Sequence, residues 1–94
     1  MKKAVVDLSG CQHADELHHR IQKALDFPSY YGRNLDAFWD CINRDCDADI
    51  VCITGISHIA DSLKPTVKQI VALLEENQQY WADSDHPFYY EVID

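Results

Sequence analysis

Residues 28–42 read PSYYGRNLDAFWDCI, and they contain a loop followed by the start of a helix. Pro28 restricts the residue before it, and Gly32 allows the backbone to turn where a side chain would clash. Asn34 is a good N-cap, because its side-chain oxygen can accept an N–H of the first helical turn. The stretch therefore predicts a surface loop that leads into a helix over residues 35–44.

This predicted helix has one apolar face and one acidic face. Residues at i, i+3, i+4 and i+7 predict the buried face: Leu35, Phe38, Trp39 and Ile42. On another face, Asp36 and Asp40 are four residues apart, and two like charges at this spacing destabilise a helix by a few tenths of a kcal/mol. We expect Trp39 to be largely buried and Asp40 to be exposed. Tyr30 and Tyr31 lie just before this acidic face.

Ordinary structural roles also account for these residues. Asp36 lies in the first turn, where the helix dipole favours an anion. Arg44 follows Asp40 by four residues and could pair with it. Either of the two tyrosines could belong to the core. On spacing alone, a solvated acidic face is a more common outcome than a functional one.

The sequence of residues 30–41, YYGRNLDAFWDC, resembles the motif of the barstar family, the small intracellular inhibitors of barnase-like ribonucleases. The resemblance extends more loosely from the opening KKAVV to the end of the chain. It implies an α/β fold with a three-stranded parallel sheet and three to four helices. It also implies an inhibitor that plugs the basic active site of a nuclease.

The resemblance further implies a partner-binding surface. Its residues in this chain would be Tyr30, Asn34, Leu35, Asp36, Trp39, Asp40 and Glu76. Glu75 is the second choice for the glutamate late in the last helix. The chain departs from the family's prototype at two points. Shortly after the helix, the prototype has an aromatic contact residue where this chain has the polar loop 43–49. Late in the last helix, the prototype has a further acidic contact residue where this chain has Tyr80. Three aspartates of that loop could replace the first contact by long-range attraction.

Size and charge narrow the possible partners. The 94 residues predict one domain, 1–94, and 47% hydrophobic residues can form a core without metal or disulfides. The chain has 16 acidic against 8 basic residues and a net charge of −8. This excess argues against nucleic acid or an anionic membrane as partner. It suits a basic protein partner, although acidity can also serve solubility alone. The resemblance implies that this partner is an extracellular-type ribonuclease, and we expect the free inhibitor to be a monomer.

The chain lacks the features of an exported or membrane protein. Only three apolar residues stand between Lys3 and Asp7, far too few for a signal peptide, and no apolar run reaches membrane-spanning length. We therefore expect a cytoplasmic protein whose cysteines are reduced thiols. Their spacing contains no CxxC and fits neither a zinc ribbon nor a redox motif.

Hydrophobic patterning predicts the remaining elements. Strands are expected at residues 4–8, 50–56 and 88–93, and helices at 14–25, 35–44 and 65–80, with one or two helical turns within 57–63. The second strand is almost continuously apolar, as a strand buried on both faces should be. A long helical crossover precedes it, so its pairing with the first strand should be parallel.

The sequence leaves two alternatives to a protein inhibitor. An enzyme is disfavoured, because the sequence has no phosphate-binding glycine loop and no nucleophile motif, and an i, i+4 aspartate pair on a convex helix lines no cleft. No cofactor is predicted. The other alternative is a metal-responsive or other protein-binding module that uses His18 and His19 with the loop Asp45–Asp49. The sequence favours solvated histidines, and it predicts no metal site.

Overall fold

The computed structural model of the protein describes residues 2–94. Its elements in chain order are β1 (Lys3–Asp7), α1 (Ala14–Leu25), α2 (Leu35–Arg44), β2 (Ile50–Thr54), α3 (Lys64–Tyr80) and β3 (Tyr89–Ile93). The predicted bounds of α1 and α2 are confirmed, and α3 begins one residue earlier than predicted. Two single 3₁₀ turns, Ile56–His58 and Asp61–Leu63, form the helical turns expected between β2 and α3.

The three strands form a parallel sheet in the order β1-β2-β3. In the central row of the sheet, Val5 lies opposite Cys52, and Cys52 lies opposite Glu91. The predicted α/β fold with a three-stranded parallel sheet is confirmed. The parallel orientation agrees with the helical crossovers, since each parallel strand must be reached by a connection that returns the chain to the same end of the sheet.

One face of the sheet carries the hydrophobic core. In β1, Ala4 and Val6 are buried while Val5 between them is 53% exposed. The expected burial of β2 on both faces holds only for its centre, Val51–Ile53, because its two end residues are half-buried. Cys52 lies on the other face and is buried there beside a 2.8 Å ion pair between Lys3 and Glu91, which joins the two edge strands.

The second strand ends two residues earlier than predicted because of Gly55. This residue has φ +80°, in the left-handed region, and a Cβ there would collide with Ser9. The positive φ ends the extended backbone at Thr54, so that Ile56 enters a 3₁₀ turn although it is apolar and β-branched. The backbone N–H of Leu8 still bonds to the Thr54 carbonyl at 2.9 Å, which closes this end of the sheet.

The helices place α2 at the outside of the molecule. α1 packs on β1, α3 packs on β3, and α2 packs mainly against α3. The apolar side of α2 inserts Phe38 and Ile42 into the core, and both are almost completely buried. The remaining faces of α2 are therefore free to present side chains to solvent.

The four cysteines have free thiols: Cys11, Cys41, Cys46 and Cys52. Burial raises the pKa of each thiol, so all four are protonated and poorly nucleophilic near neutral pH. Among the helices described between residues 2 and 94, none has the length and apolar character needed to cross a bilayer.

Candidate functional site

Asn34 starts α2 as its N-cap. Its side-chain oxygen accepts a 2.8 Å hydrogen bond from the N–H of Ala37, which confirms the predicted cap. Its side-chain NH₂ donates to the Gly32 carbonyl at 3.2 Å. Asn34 therefore fixes both the first turn of the helix and the end of the loop that precedes it.

The turn in this loop is made by Arg33 rather than by Gly32. Arg33 has φ +54°, in the left-handed region, whereas no positive φ occurs at Gly32. A Cβ at Gly32 would lie 3.3 Å from the Asn34 side-chain nitrogen, a tight contact, and 3.4 Å from the Cβ of Ala37, an ordinary van der Waals distance. The expected clash at Gly32 is therefore limited to one tight contact, and the left-handed conformation of Arg33 was not predicted.

The two adjacent tyrosines have opposite environments. Tyr31 is 5% exposed, and its hydroxyl is joined to Nδ1 of His18 by a 2.6 Å hydrogen bond. Its ring also packs edge-on against Phe27. The expectation that His18 is solvated is wrong, because the loop folds back over α1 and covers this histidine. Burial lowers the pKa of His18 and keeps its ring neutral at neutral pH.

Replacing Tyr31 with phenylalanine should lower the free energy of unfolding by about 1–3 kcal/mol. The change leaves Nδ1 of His18 buried without a partner, and an unsatisfied buried polar group has a cost of this order. Urea denaturation of wild type and variant measures the difference. Tyr30→Phe is the matched control and should change stability by less than about 0.5 kcal/mol, because its hydroxyl is exposed. Equal midpoints for the two variants would contradict a role for the buried pair.

Tyr30 stands out from the surface and is 73% exposed. Its hydroxyl donates to the Asp45 carboxylate at 3.3 Å. Partial burial and this neighbouring carboxylate raise the pKa of the phenol. Asp45 is the C-cap of α2, where the helix dipole does not favour an anion. The contact therefore ties Tyr30 to the C-terminal end of the helix that Asn34 begins.

A groove of about 640 Å³ runs between α2 and α3. Its apolar part is contributed by both helices: Leu35, Trp39, Ala72 and Leu73. Its carboxylates come from Asp36, Asp40 and Glu76. Five of the seven predicted site residues thus line one groove, and Asn34 and Tyr30 lie in the loop before α2. Trp39, which was expected to be largely buried, is only partly buried against the core, whereas Asp40 is exposed as expected.

The groove carboxylates have no cationic neighbour in salt-bridge contact within residues 2–94. The salt bridges there involve Lys2, Lys3 and Lys64 with acids outside the groove. The possible pair of Asp40 with Arg44 does not form, although the two lie one helical turn apart. The negative charge of this surface is therefore not neutralised locally.

The structure also separates the two candidate glutamates of α3. Glu76 is exposed and lines the groove. Glu75 is half-buried, accepts a 3.2 Å hydrogen bond from Gln79, and lies beside the hydroxyl of Tyr90 on β3. Glu76 is thus the one placed with Asp36 and Asp40.

Two of the three aspartates in the loop after α2 have structural roles. Asp47 forms a 2.8 Å ion pair with the Lys2 ammonium, which lowers the pKa of its carboxyl group. The Asp49 carboxylate accepts the backbone N–H of Lys2 at 2.7 Å. Both carboxylates thus fasten the loop to Lys2, the residue before β1, and only Asp47 is paired with a cation there. Asp45 alone faces Tyr30.

Sequence reasoning missed the residue that joins the two groove helices. Asn77 is completely buried, accepts a hydrogen bond from the Asn43 side chain at 3.0 Å and donates to the Ile42 carbonyl at 3.4 Å. It continues the buried stripe of α3 three residues after Leu74. A polar residue in an apolar stripe was the available signal, because such a residue needs a partner on the helix it faces.

The metal alternative finds little support in the geometry. Within residues 2–94, the structure gathers no group of three side chains able to hold a metal ion. His18 is buried against Tyr31, and Asp47 is paired with Lys2. The side chains on which this alternative depended are therefore largely engaged elsewhere.

Comparison with known proteins agrees with the motif. The family model described as Barstar (barnase inhibitor) matches residues 1–93. A protein of Bacillus subtilis (strain 168) named "Putative ribonuclease inhibitor YrdF" is 40% identical over 84 residues, which cover 88% of this chain and 92% of that protein. The match to the family model includes the loop before α2, both groove helices and the three strands. The chain belongs to the barstar family.

Proposed function

We propose that this protein inhibits a basic, barnase-like ribonuclease by placing the α2–α3 groove over the active site of the enzyme. Membership of the barstar family and the likeness to a protein named as a ribonuclease inhibitor support an inhibitory role. One observation carries the choice of surface. Three carboxylates that have no salt-bridge partner among residues 2–94, Asp36, Asp40 and Glu76, border an apolar groove on the exposed side of α2.

The mechanism follows from what a ribonuclease cleft must bind. Such a cleft is basic because it holds RNA phosphates, and carboxylates can take the place of those phosphates. Asp40, which lines the groove together with Asp36 and Glu76, enters the phosphate site, where it accepts charge-assisted hydrogen bonds from Arg, Lys or His. Asp36 and Glu76 flank it. The inhibitor thus excludes RNA by occupying the same cations.

The apolar and aromatic residues give this contact its shape. Leu35 and Trp39 exclude water beneath the carboxylates, which strengthens the polar contacts around them. Tyr30 packs at the rim as a rigid aromatic contact, held by Asp45. Asn34 acts through the backbone, because it fixes the first turn of α2 and hence the position of Asp36. No step requires catalysis or a cofactor from the inhibitor.

The proposed setting is the cytoplasm, with a partner that the cell exports. A cytoplasmic inhibitor would protect cellular RNA from nuclease molecules that have not left the cell. The free thiols are compatible with a reducing compartment. We propose that the free inhibitor is a monomer and binds neither nucleic acid nor membranes.

Titration of barnase with the purified protein in an RNA-cleavage assay tests the proposal. We expect activity to fall to near zero at one inhibitor per enzyme. A charge-neutral variant, Asp36→Asn/Asp40→Asn/Glu76→Gln, should inhibit at least about 100-fold less well, since several charged partners in the cleft lose their contacts. Full inhibition by this variant would place the contact elsewhere. If the wild type leaves barnase and every basic ribonuclease of the host active, the proposed function is wrong.

A further inference from the structure

We infer that the open edge of β3 and the apolar groove beside it bind an extended segment of a second protein partner, which has an acidic side chain between apolar ones. In the strand order β1-β2-β3, the last strand pairs with β2 alone, so its other edge has no neighbouring strand within residues 2–94. The lining residues of this groove and of the α2–α3 groove do not overlap. A ribonuclease and the second partner can therefore bind through different residues of α3.

The backbone of β3 offers hydrogen-bonding groups at this edge. The N–H of Tyr89 donates to the Asp49 carbonyl at 2.9 Å, on the β2 side of the strand. Successive residues of a strand turn their backbone groups to alternate sides, so those of Tyr90 and Val92 point to the open edge. The Gln78 side chain accepts the N–H of Tyr90 at 3.3 Å and covers this first position. The N–H and carbonyl of Val92 are the groups that an added strand would meet.

The side chains of β3 do not protect this edge against a further strand. Exposed edges are usually blocked by lysine, proline or a bulge, and Tyr89–Ile93 contains neither lysine nor proline and pairs with β2 in continuous register. Its one charged residue, Glu91, is held by Lys3 at 2.8 Å. The side chains of Val92 and Ile93 are 44% and 52% exposed. An apolar, unblocked edge of this kind is suited to strand addition, in which backbone hydrogen bonds supply affinity.

A groove of about 690 Å³ lies beside this edge. Its apolar lining comes from β3, the first half of α3 and the turn after β2: Val92, Pro65, Val67, Val71 and Ile56. Val67 is buried, whereas Val71 and Ile56 are half-buried and still present apolar surface to the groove. Every second side chain of an added strand would lie on the same face of the sheet as Val92. These side chains would enter the groove, and the groove would determine which of them are accepted.

The charges of the groove favour a carboxylate on the incoming segment. Its charged lining residues are Lys64, Lys68 and Asp61. Asp61 pairs with Lys64 at 3.1 Å, but Lys68 has no salt-bridge partner in the part of the chain that the structure describes, 2–94. A carboxylate beside apolar side chains would pair with Lys68, whereas a basic side chain would be repelled. A second copy of the chain fits less well, because its β3 would present Tyr90 and Val92 to the groove and no carboxylate.

Calorimetric titration with two blocked peptides, acetyl-TVTETVT-amide and acetyl-TVTKTVT-amide, tests the charge preference. Alternation places valine, the central charge and valine on one face of each peptide. We expect the glutamate peptide to bind at least about 3-fold more tightly than the lysine peptide, the effect of one exposed ion pair. Lys68→Glu should reverse this preference, and Lys23→Glu, the same change on the exposed side of α1, should keep it. Equal binding of both peptides, or binding of neither, would overturn the inference.

A second arm locates the contact. On addition of the glutamate peptide, the NMR signal of the Val92 amide should shift and its hydrogen exchange should slow, while Asp36 and Asp40 on α2 should not respond. Val92→Pro removes the N–H at the open edge, where proline is tolerated, and should abolish peptide binding; Val92→Thr keeps the N–H and should retain it. Both should inhibit barnase like wild type, so a failure of ribonuclease inhibition leaves this test intact. Shifts confined to the α2–α3 groove, or dimerisation through β3 without peptide binding, would overturn the inference.

Discussion

Replacing Asp40 with alanine is expected to weaken binding to barnase by about 30-fold to several thousand-fold. In the proposed complex, Asp40 is the carboxylate that enters the phosphate site. Its loss would leave buried cations of the enzyme without a partner, and truncating one member of such a pair costs about 2–5 kcal/mol or more. Most of the loss should appear as faster dissociation.

The same substitution should leave the stability of the free protein unchanged or raise it slightly. Asp40 has no salt-bridge partner within residues 2–94, and it lies four residues after Asp36, so the two carboxylates repel each other across one helical turn. Removing this repulsion gains about 0.2–0.5 kcal/mol, and alanine is the better helix former. Asp40→Ala should therefore be as stable as wild type or slightly more stable. A residue that the fold does not need is best explained by binding.

Two matched variants distinguish the loss of the Asp40 contact from the loss of one negative charge elsewhere on the surface. Asp40→Asn keeps the shape of the side chain and should still lose most of the binding. Asp83→Ala removes one exposed carboxylate from the turn after α3 and should leave binding within about 3-fold of wild type, because a charge outside the interface contributes little. If Asp40→Ala melts several degrees lower and inhibits as well as wild type, Asp40 is a structural residue and the proposed surface is wrong.

The helices were predictable because their signals are local. Asn34 caps α2 through a contact with a residue three positions away, and the spacing of Phe38 and Ile42 determines which face is buried. Pro65 lies in the first turn of α3, where its missing N–H costs nothing. Such signals need only the neighbouring sequence, and this explains why the bounds of α1 and α2 were matched.

The errors arose where a distant residue decides the environment. His18 looked solvated on its helix, but Tyr31, thirteen residues away, covers it and supplies its hydrogen bond. Asp47 looked like a free charge, but Lys2, 45 residues earlier in the chain, pairs with it where β1 and β2 begin side by side. No local pattern contains these pairings. They arise when the sheet and the loop assemble, and so they required the structure.

The candidate site shows the same division. Residue spacing alone placed Asp36 and Asp40 on one helix, and only the family resemblance nominated them for binding. The resemblance did not decide whether Glu75 or Glu76 makes the contact, because the two are neighbours in the sequence. Adjacent residues on a helix point in different directions, so only one of them can face the groove. The packing of α3 against β3 turns Glu75 toward Tyr90 and leaves Glu76 at the groove. The aromatic contact between Tyr80 and Trp39 was also not predictable, since it joins residues of two different helices.

The association rate constant with barnase should fall by at least about 10-fold between low salt and 0.5 M NaCl, while the dissociation rate constant changes much less. The chain carries a net charge of −8, and the groove carboxylates form no salt bridge with any of the residues that the structure describes, 2–94. Exposed charges attract a basic partner over about one Debye length, roughly 10 Å at 0.1 M and shorter at higher salt. Steering of this kind raises association rates by about 10-fold to 1,000-fold.

Stopped-flow mixing over a series of salt concentrations measures this dependence, and two variants show which charges cause it. The triple variant Asp36→Asn/Asp40→Asn/Glu76→Gln should associate more slowly and with a flatter salt dependence. Asp15→Asn/Asp83→Asn/Asp85→Asn removes the same number of exposed carboxylates from α1 and from the turn after α3, and it should keep most of the wild-type slope. Equal slopes for both variants would mean that the total charge, rather than the groove, steers the encounter. A wild-type rate independent of salt would mean that the acidic composition serves solubility alone, since a field that guides a partner must weaken when ions screen it.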